Sequence, residues 1–126
     1  MSGVLVDTSV WVSHFRERNQ GLIDLLDCDD VLIHPMILAE IGCGTPPARN
    51  STLSDLASLQ QAQQPSLYEV MDFIERESLF GQGCGIVDMM LLASTLITSG
   101  SELWTLDKRL SSIAKSYGVM YRPRLH

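Results

Sequence analysis

The sequence predicts an α/β fold built on a central parallel sheet of four or five strands, and three observations carry that expectation. Short apolar runs near residues 3–6, 31–34, 102–105 and 119–121 read as strands. They alternate with stretches of helical periodicity, the arrangement that places helices on both faces of a parallel sheet through right-handed crossovers. Ile86 to Ser99 is the most apolar helix, as a buried central element must be. No repeat or linker interrupts the pattern, so residues 1–126 are expected to form one domain.

Val4-Leu5-Val6, with two β-branched residues, makes the first strand. It ends in Asp7-Thr8-Ser9, where Thr8 or Ser9 is suited to cap a helix running to about Arg18. Asp7 reads either as a cap itself or as an acid at the carboxyl end of a buried strand, where open α/β sheets bind ligands. Asn19-Gln20-Gly21 breaks the helix, Leu22 to Leu26 makes a short second one, and Asp27, Asp29 and Asp30 read as a solvated turn. Val31 to His34 is the next strand, and Pro35 then stands at a favoured first helical position. In the helix from Pro35 to Gly42, Glu40 is the single charge among Met36, Ile37, Leu38 and Ile41.

Thr45-Pro46-Pro47 is a stiff turn. Ser51 to about Gln63 carries Leu53, Leu56 and Leu59 at helical spacing and is expected to be a surface helix. Pro65 ends it, and Tyr68 to about Phe80 forms another. Gly81-Gln82-Gly83-Cys84-Gly85 lacks the Lys-Ser/Thr of a P-loop and is expected to be a mobile connection. Asp88 is the only charge on the helix that follows, and Gly100 stops it. Glu102 to Thr105 is a strand, Leu106-Asp107 leads into a helix from Lys108 to Tyr117, and Val119-Met120-Tyr121 is a last short strand.

Composition narrows the class. No apolar run approaches the roughly 18–20 residues that span a bilayer, and the N-terminus lacks a basic and apolar secretory signal. Cys28, Cys43 and Cys84 form no C-x-x-C pair, so a disulfide framework or zinc site is not expected, and a reducing cytoplasm suits them. His14, His34 and His126 show no metal-binding spacing. The net charge of −6 argues against a surface that grips nucleic acid everywhere. Yet Lys108, Arg109, Lys115, Arg122 and Arg124 cluster near the end, where they read as a solvated face or as a grip on phosphates.

Asp7 and Asp107 each follow a strand, so both fall on the carboxyl edge of a parallel sheet, and Glu40 lies within about two turns of it. Asp88 occupies the first turn of the central helix, whose dipole tolerates an anion. Like charges in apolar surroundings need shared protons or a cation. Four carboxylates without His are hard oxygen ligands of the kind Mg²⁺ or Mn²⁺ accepts. The other reading is that these acids cap helices or lie exposed.

Four segments carry a resemblance: Val4-Leu5-Val6-Asp7-Thr8-Ser9-Val10-Trp11, His34 to Gly44, Gly85 to Ala93, and Leu103 to Leu110. In order and spacing the chain is similar to the PIN-domain ribonucleases, and within them to the VapC-type toxins of bacterial toxin–antitoxin pairs. The resemblance implies a three-layer α/β/α PIN-like domain and an endoribonuclease using Mg²⁺ or Mn²⁺. Its acidic quartet corresponds to Asp7, Glu40, Asp88 and Asp107, with Ser9 and Thr105 as hydroxyls beside the metal and Glu40 as either ligand or base. It further implies a cognate VapB-type antitoxin, an RNA substrate, a homodimer and no membrane association. Arg16, Lys108 and Arg109 are candidates for the RNA backbone.

Two other metal-using folds do not fit the same residues. A receiver-like module needs acids beside Asp7, and the nearest lies ten positions away at Glu17. An Asp-x-Asp phosphatase has Ser9 where its second acid belongs. An inactive PIN-fold binding module, or a housekeeping RNA-processing nuclease, is the alternative. The metal-ligand reading also expects Asp7→Ala to abolish activity at little cost in stability, with Thr8 and Ser9 doing the capping.

Overall fold

The computed structural model describes residues 3–123. Along them run β1 (Gly3–Val6), α1 (Thr8–Arg16), α2 (Gln20–Asp27), β2 (Val31–Ile33), α3 (Pro35–Gly42), α4 (Arg49–Ala57), β3 (Gln60–Gln61), α5 (Leu67–Arg76), α6 (Ile86–Ile97), β4 (Ser101–Trp104) and α7 (Lys108–Ser116). The strands form one parallel sheet in the order β3-β2-β1-β4. All residues of β1 and β2 are buried, as strands covered on both faces must be. Their short, continuous apolar runs with β-branched residues follow from that position.

Helices flank the sheet in an α/β/α arrangement. On one hand α1 and α4 pack on α3; on the other α6 packs against α5, α7 and β4. Leu5, Val6, Ile33, Ile37, Leu91, Leu92, Leu103 and Leu110 are fully buried where these layers meet. Each such side chain contributes about 1.5–3 kcal/mol of transfer free energy. The hydroxyls on α6 are buried but satisfied: Thr95 Oγ1 donates to the Leu91 carbonyl at 2.8 Å, and Ser94 Oγ donates to the Gln63 carbonyl.

The structure corrects the sequence reading in three places. The helix expected to reach Gln63 stops at Ala57, and Gln60–Gln61 instead pair with Leu32 and Ile33 as the edge strand β3. The backbone wins over the helical Leu spacing there: Ala62 N donates to the Ile33 carbonyl at 3.0 Å and Gln63 N to Thr98 Oγ1 at 2.9 Å. Residues 119–121 add only a one-residue bridge, Met120 beside Leu103, held by Leu103 N to the Val119 carbonyl and Tyr121 N to the Leu103 carbonyl. Finally, Asp7, not Thr8 or Ser9, caps α1, with Oδ1 accepting from Thr8 N at 2.8 Å. Arg124 and His126 lie outside the described residues.

Candidate active site

Register brings the first and last strands' acids together. Val6 pairs with Trp104, and Asp7 N donates to the Trp104 carbonyl at 2.9 Å, so the turns after β1 and β4 start side by side. Asp7 is buried there, and Oδ2 accepts from Ser9 Oγ at 2.7 Å and Thr105 Oγ1 at 2.8 Å. Thr105 Oγ1 in turn accepts from Asp107 N at 3.1 Å, and Ser9 Oγ accepts from Leu106 N at 3.0 Å. The two hydroxyls therefore stitch both turns to one carboxylate. Asp107 caps α7, with Oδ1 accepting from Leu110 N at 2.9 Å.

Glu40 enters from the last turn of α3 with its side chain in solvent reach, and Thr8 Oγ1 donates to its Oε1 at 2.7 Å. Asp88 comes from the first turn of α6 and is half-buried. Burial pushes its carboxyl above the usual range, a Gly85 backbone hydrogen bond opposes that, and the charges of Asp7, Asp107 and Glu40 push it further up. The other three acids thus all reach Asp88. Among the described residues, no three His, Cys, Asp or Glu side chains close tightly enough on a point to hold an ion. Capping and ligand readings are not exclusive: Asp7 and Asp107 each use Oδ1 in a cap.

The candidate cations flank this cluster. Exposed Arg16 shares a recess of about 430 Å³ with Glu40, Val12 and Phe15. Exposed Lys108 and Arg109 line another of about 310 Å³ with Gln82 and Ser112. Among the described residues none of the three forms an ion pair; Arg76 and Asp72 do, at 3.4 Å. Burial, then Asp88 and Asp107, raise the Cys84 thiol, while Arg109 acts the other way, so Cys84 lies within electrostatic reach of all three. Two participants had no sequence signal: Thr8, whose hydroxyl holds Glu40, and Cys84, which the Gly-rich stretch delivers to the acids.

A parallel α/β/α sheet with acids at the ends of adjacent strands and the starts of helices defines a PIN-like domain. The crystal structure of PAE2754 from Pyrobaculum aerophilum shares this fold, with a TM-score of 0.60 at 21% identity over 88% of this chain and 84% of that one. No protein-family model matches the chain. In sequence it is 39% identical over 116 residues to Ribonuclease VapC32 of Mycobacterium tuberculosis, in both strain CDC 1551 and strain H37Rv, covering 92% of this chain and 94% of that protein. The chain belongs to the VapC family of PIN-type ribonucleases.

Proposed function

We propose that the protein is a divalent-metal-dependent endoribonuclease acting as the toxin of a type II toxin–antitoxin pair. The observation that carries this is the meeting of the β1 and β4 ends, which joins Asp7 to Asp107 through Thr105, with Asp88 near enough that its charge is penalised first by burial and then by Asp7, Asp107 and Glu40. An acid penalised by three others fits a site that takes a cation, and the all-oxygen donor set fits Mg²⁺ or Mn²⁺. The similarity to Ribonuclease VapC32 supports RNA as the substrate.

Asp7, Asp88 and Asp107 would hold the ion by drawing closer together than they stand in this structure, with Glu40 completing the set. Bound there, a divalent cation would supply an acidified water and charge to offset that growing on an attacked phosphate. Ser9 and Thr105 orient Asp7 by donating to its Oδ2, the task of hydroxyls behind a ligand. Glu40, anchored by Thr8 and open to solvent, is also positioned to accept a proton from the attacking water. Arg16, Lys108 and Arg109 hold the flanking backbone against the repulsion of the acids. A cognate VapB-type antitoxin, a homodimer and a cytoplasmic setting belong to the same reading. Among the described residues no helix is long and apolar enough to cross a membrane.

The test is cleavage of assorted RNAs by the purified protein with Mg²⁺, with Mn²⁺ and with EDTA, beside Asp7→Asn and Asp88→Asn. Cleavage that persists in EDTA or in both variants would overturn the reading. Induction in a bacterium, with and without the adjacent small gene, tests the toxin role; harmless expression of an active nuclease would point to housekeeping RNA processing.

A further inference from the structure

We propose that Gly83 is a positioning residue: by carrying no side chain it lets the Arg109 side chain lie across it at the start of α7, two residues after Asp107, with its guanidinium ready to grip an RNA phosphate. The inference rests on the nuclease reading above and adds the device that aims one cation. A methyl group on Gly83 would stand 2.7 Å from Arg109 Nη1, 2.8 Å from its Cδ and 3.0 Å from its Cζ. Those separations are too short for any carbon, so the arginine lies over this glycine only because the position is bare. Gly83 also has φ +83°, a conformation that side-chain-bearing residues resist. The Gly-rich stretch is therefore a shaped seat and not merely a connection.

Two further observations give the seat a purpose. Arg109 lines an open recess with Gln82, Lys108 and Ser112, so the guanidinium resting on Gly83 borders space that a phosphate can enter. Among the described residues Arg109 forms no ion pair, so its donors are open to another anion. Moreover, Lys108 and Arg109 occupy the first turn of α7, the positive end of the helix dipole, where cations are disfavoured and only Asp107 compensates. Two cations at the wrong end of a helix serve something other than that helix. A planar fork bounded on one side by the Gly83 backbone has less rotational freedom to lose on gripping a phosphate than one free on all sides.

The experiment is a double-mutant cycle. RNA affinity is measured on a single-stranded oligoribonucleotide in the Asp88→Asn background, across a salt series, and cleavage is measured in the parent with Mn²⁺. Arg109→Ala is expected to weaken binding about tenfold and to lower the salt slope by about one. Gly83→Ala should reproduce most of that loss, and should add less than twofold once Arg109 is Ala. Gly81→Ala is the control: its φ of +73° imposes the same backbone strain, with nothing within 4 Å of the added methyl. Gly83→Asn, which tolerates positive φ yet carries the carbon, gives the same comparison if Gly83→Ala does not fold. A Gly83 variant that behaves like Gly81→Ala, or losses that simply add, overturns the proposal while leaving a cleaving enzyme intact. Binding with the expected coupling but no cleavage in the parent overturns the nuclease reading and keeps this one. Neither binding nor cleavage overturns both.

Discussion

Thr8 Oγ1 donates a 2.7 Å hydrogen bond to Glu40 Oε1, tying the first residue of α1 to the last turn of α3. The bond is open to solvent, so its net worth to the fold is only about 0.5–1.5 kcal/mol. Its larger effect is to fix where the Glu40 carboxylate points. Thr8→Val keeps the shape and removes the donor; it should lower Tm by a few degrees and reduce kcat about tenfold with KM little changed. Thr8→Ser should restore kcat. An unaltered kcat in Thr8→Val would show that the position of Glu40 does not matter.

Asp7 carries more structure than a metal ligand needs. Its carboxylate accepts from Thr8 N, Ser9 Oγ and Thr105 Oγ1 while buried. Asp7→Ala loses a helix cap, about 1 kcal/mol, and strands two hydroxyls, so the expectation of little cost gives way to a loss of about 2 kcal/mol. Asp7→Asn keeps a capping oxygen, and the hydroxyls can turn to accept from its amide, so it should lose less. Both should be inactive. Denaturant midpoints read the difference, and equal midpoints for the two variants would refute the capping account.

Asp88 behaves in the opposite way. Its folded pKa lies above the unfolded value, chiefly through burial and then through the other three acids. Between the unfolded pKa of 3.8 and the raised folded value, the native state binds more protons, so this group's contribution to stability falls as pH rises through that window. Above both values the penalty is complete. Asp88→Asn should therefore raise Tm at pH 7 in EDTA while abolishing cleavage, and added Mn²⁺ should raise the parent's Tm but not the variant's. A variant less stable than its parent in EDTA would contradict the crowding of charges.

His34 contributes its own pH dependence. It caps α3, with Nδ1 accepting from Met36 N at 3.0 Å, and burial lowers its pKa below 6.5. Above pH 6.5 both states are neutral and nothing changes; below it the unfolded chain takes the proton first, so stability falls with pH until the folded pKa is passed. His34→Asn supplies a capping oxygen that does not titrate and should flatten that slope. Urea midpoints at pH 7 and pH 5.5 read it; parallel slopes in parent and variant would remove His34 from the account.

The sequence showed most of what is buried and little of what is edge. The strands β1 and β2 announced themselves because burial on two faces demands apolar residues there, while β4, at the other edge with Glu102 exposed, showed itself through buried Leu103 and Trp104. The strand β3 could not: both its glutamines are exposed, and only backbone pairing makes it a strand. At the site, lone acids in apolar stretches, Glu40 and Asp88, stood out by contrast. Their mutual field and the Thr8 bond depend on how distant segments meet, which no local pattern records. The same holds for Gly83, whose meaning comes from an arginine arriving from another helix.

The chain of bonds from Asp7 through Thr105 to Asp107 also has a consequence in time. The earliest strand of the chain receives its last neighbour, β4, only after residue 104 is made, and the last acid follows that. Contacts so far apart in sequence close late. A partly synthesised chain therefore holds Asp7 without the hydroxyl that orients it and without its strand-end companion. On the reading of the site proposed above, its acids come together only with the completion of the sheet, when the final strand docks.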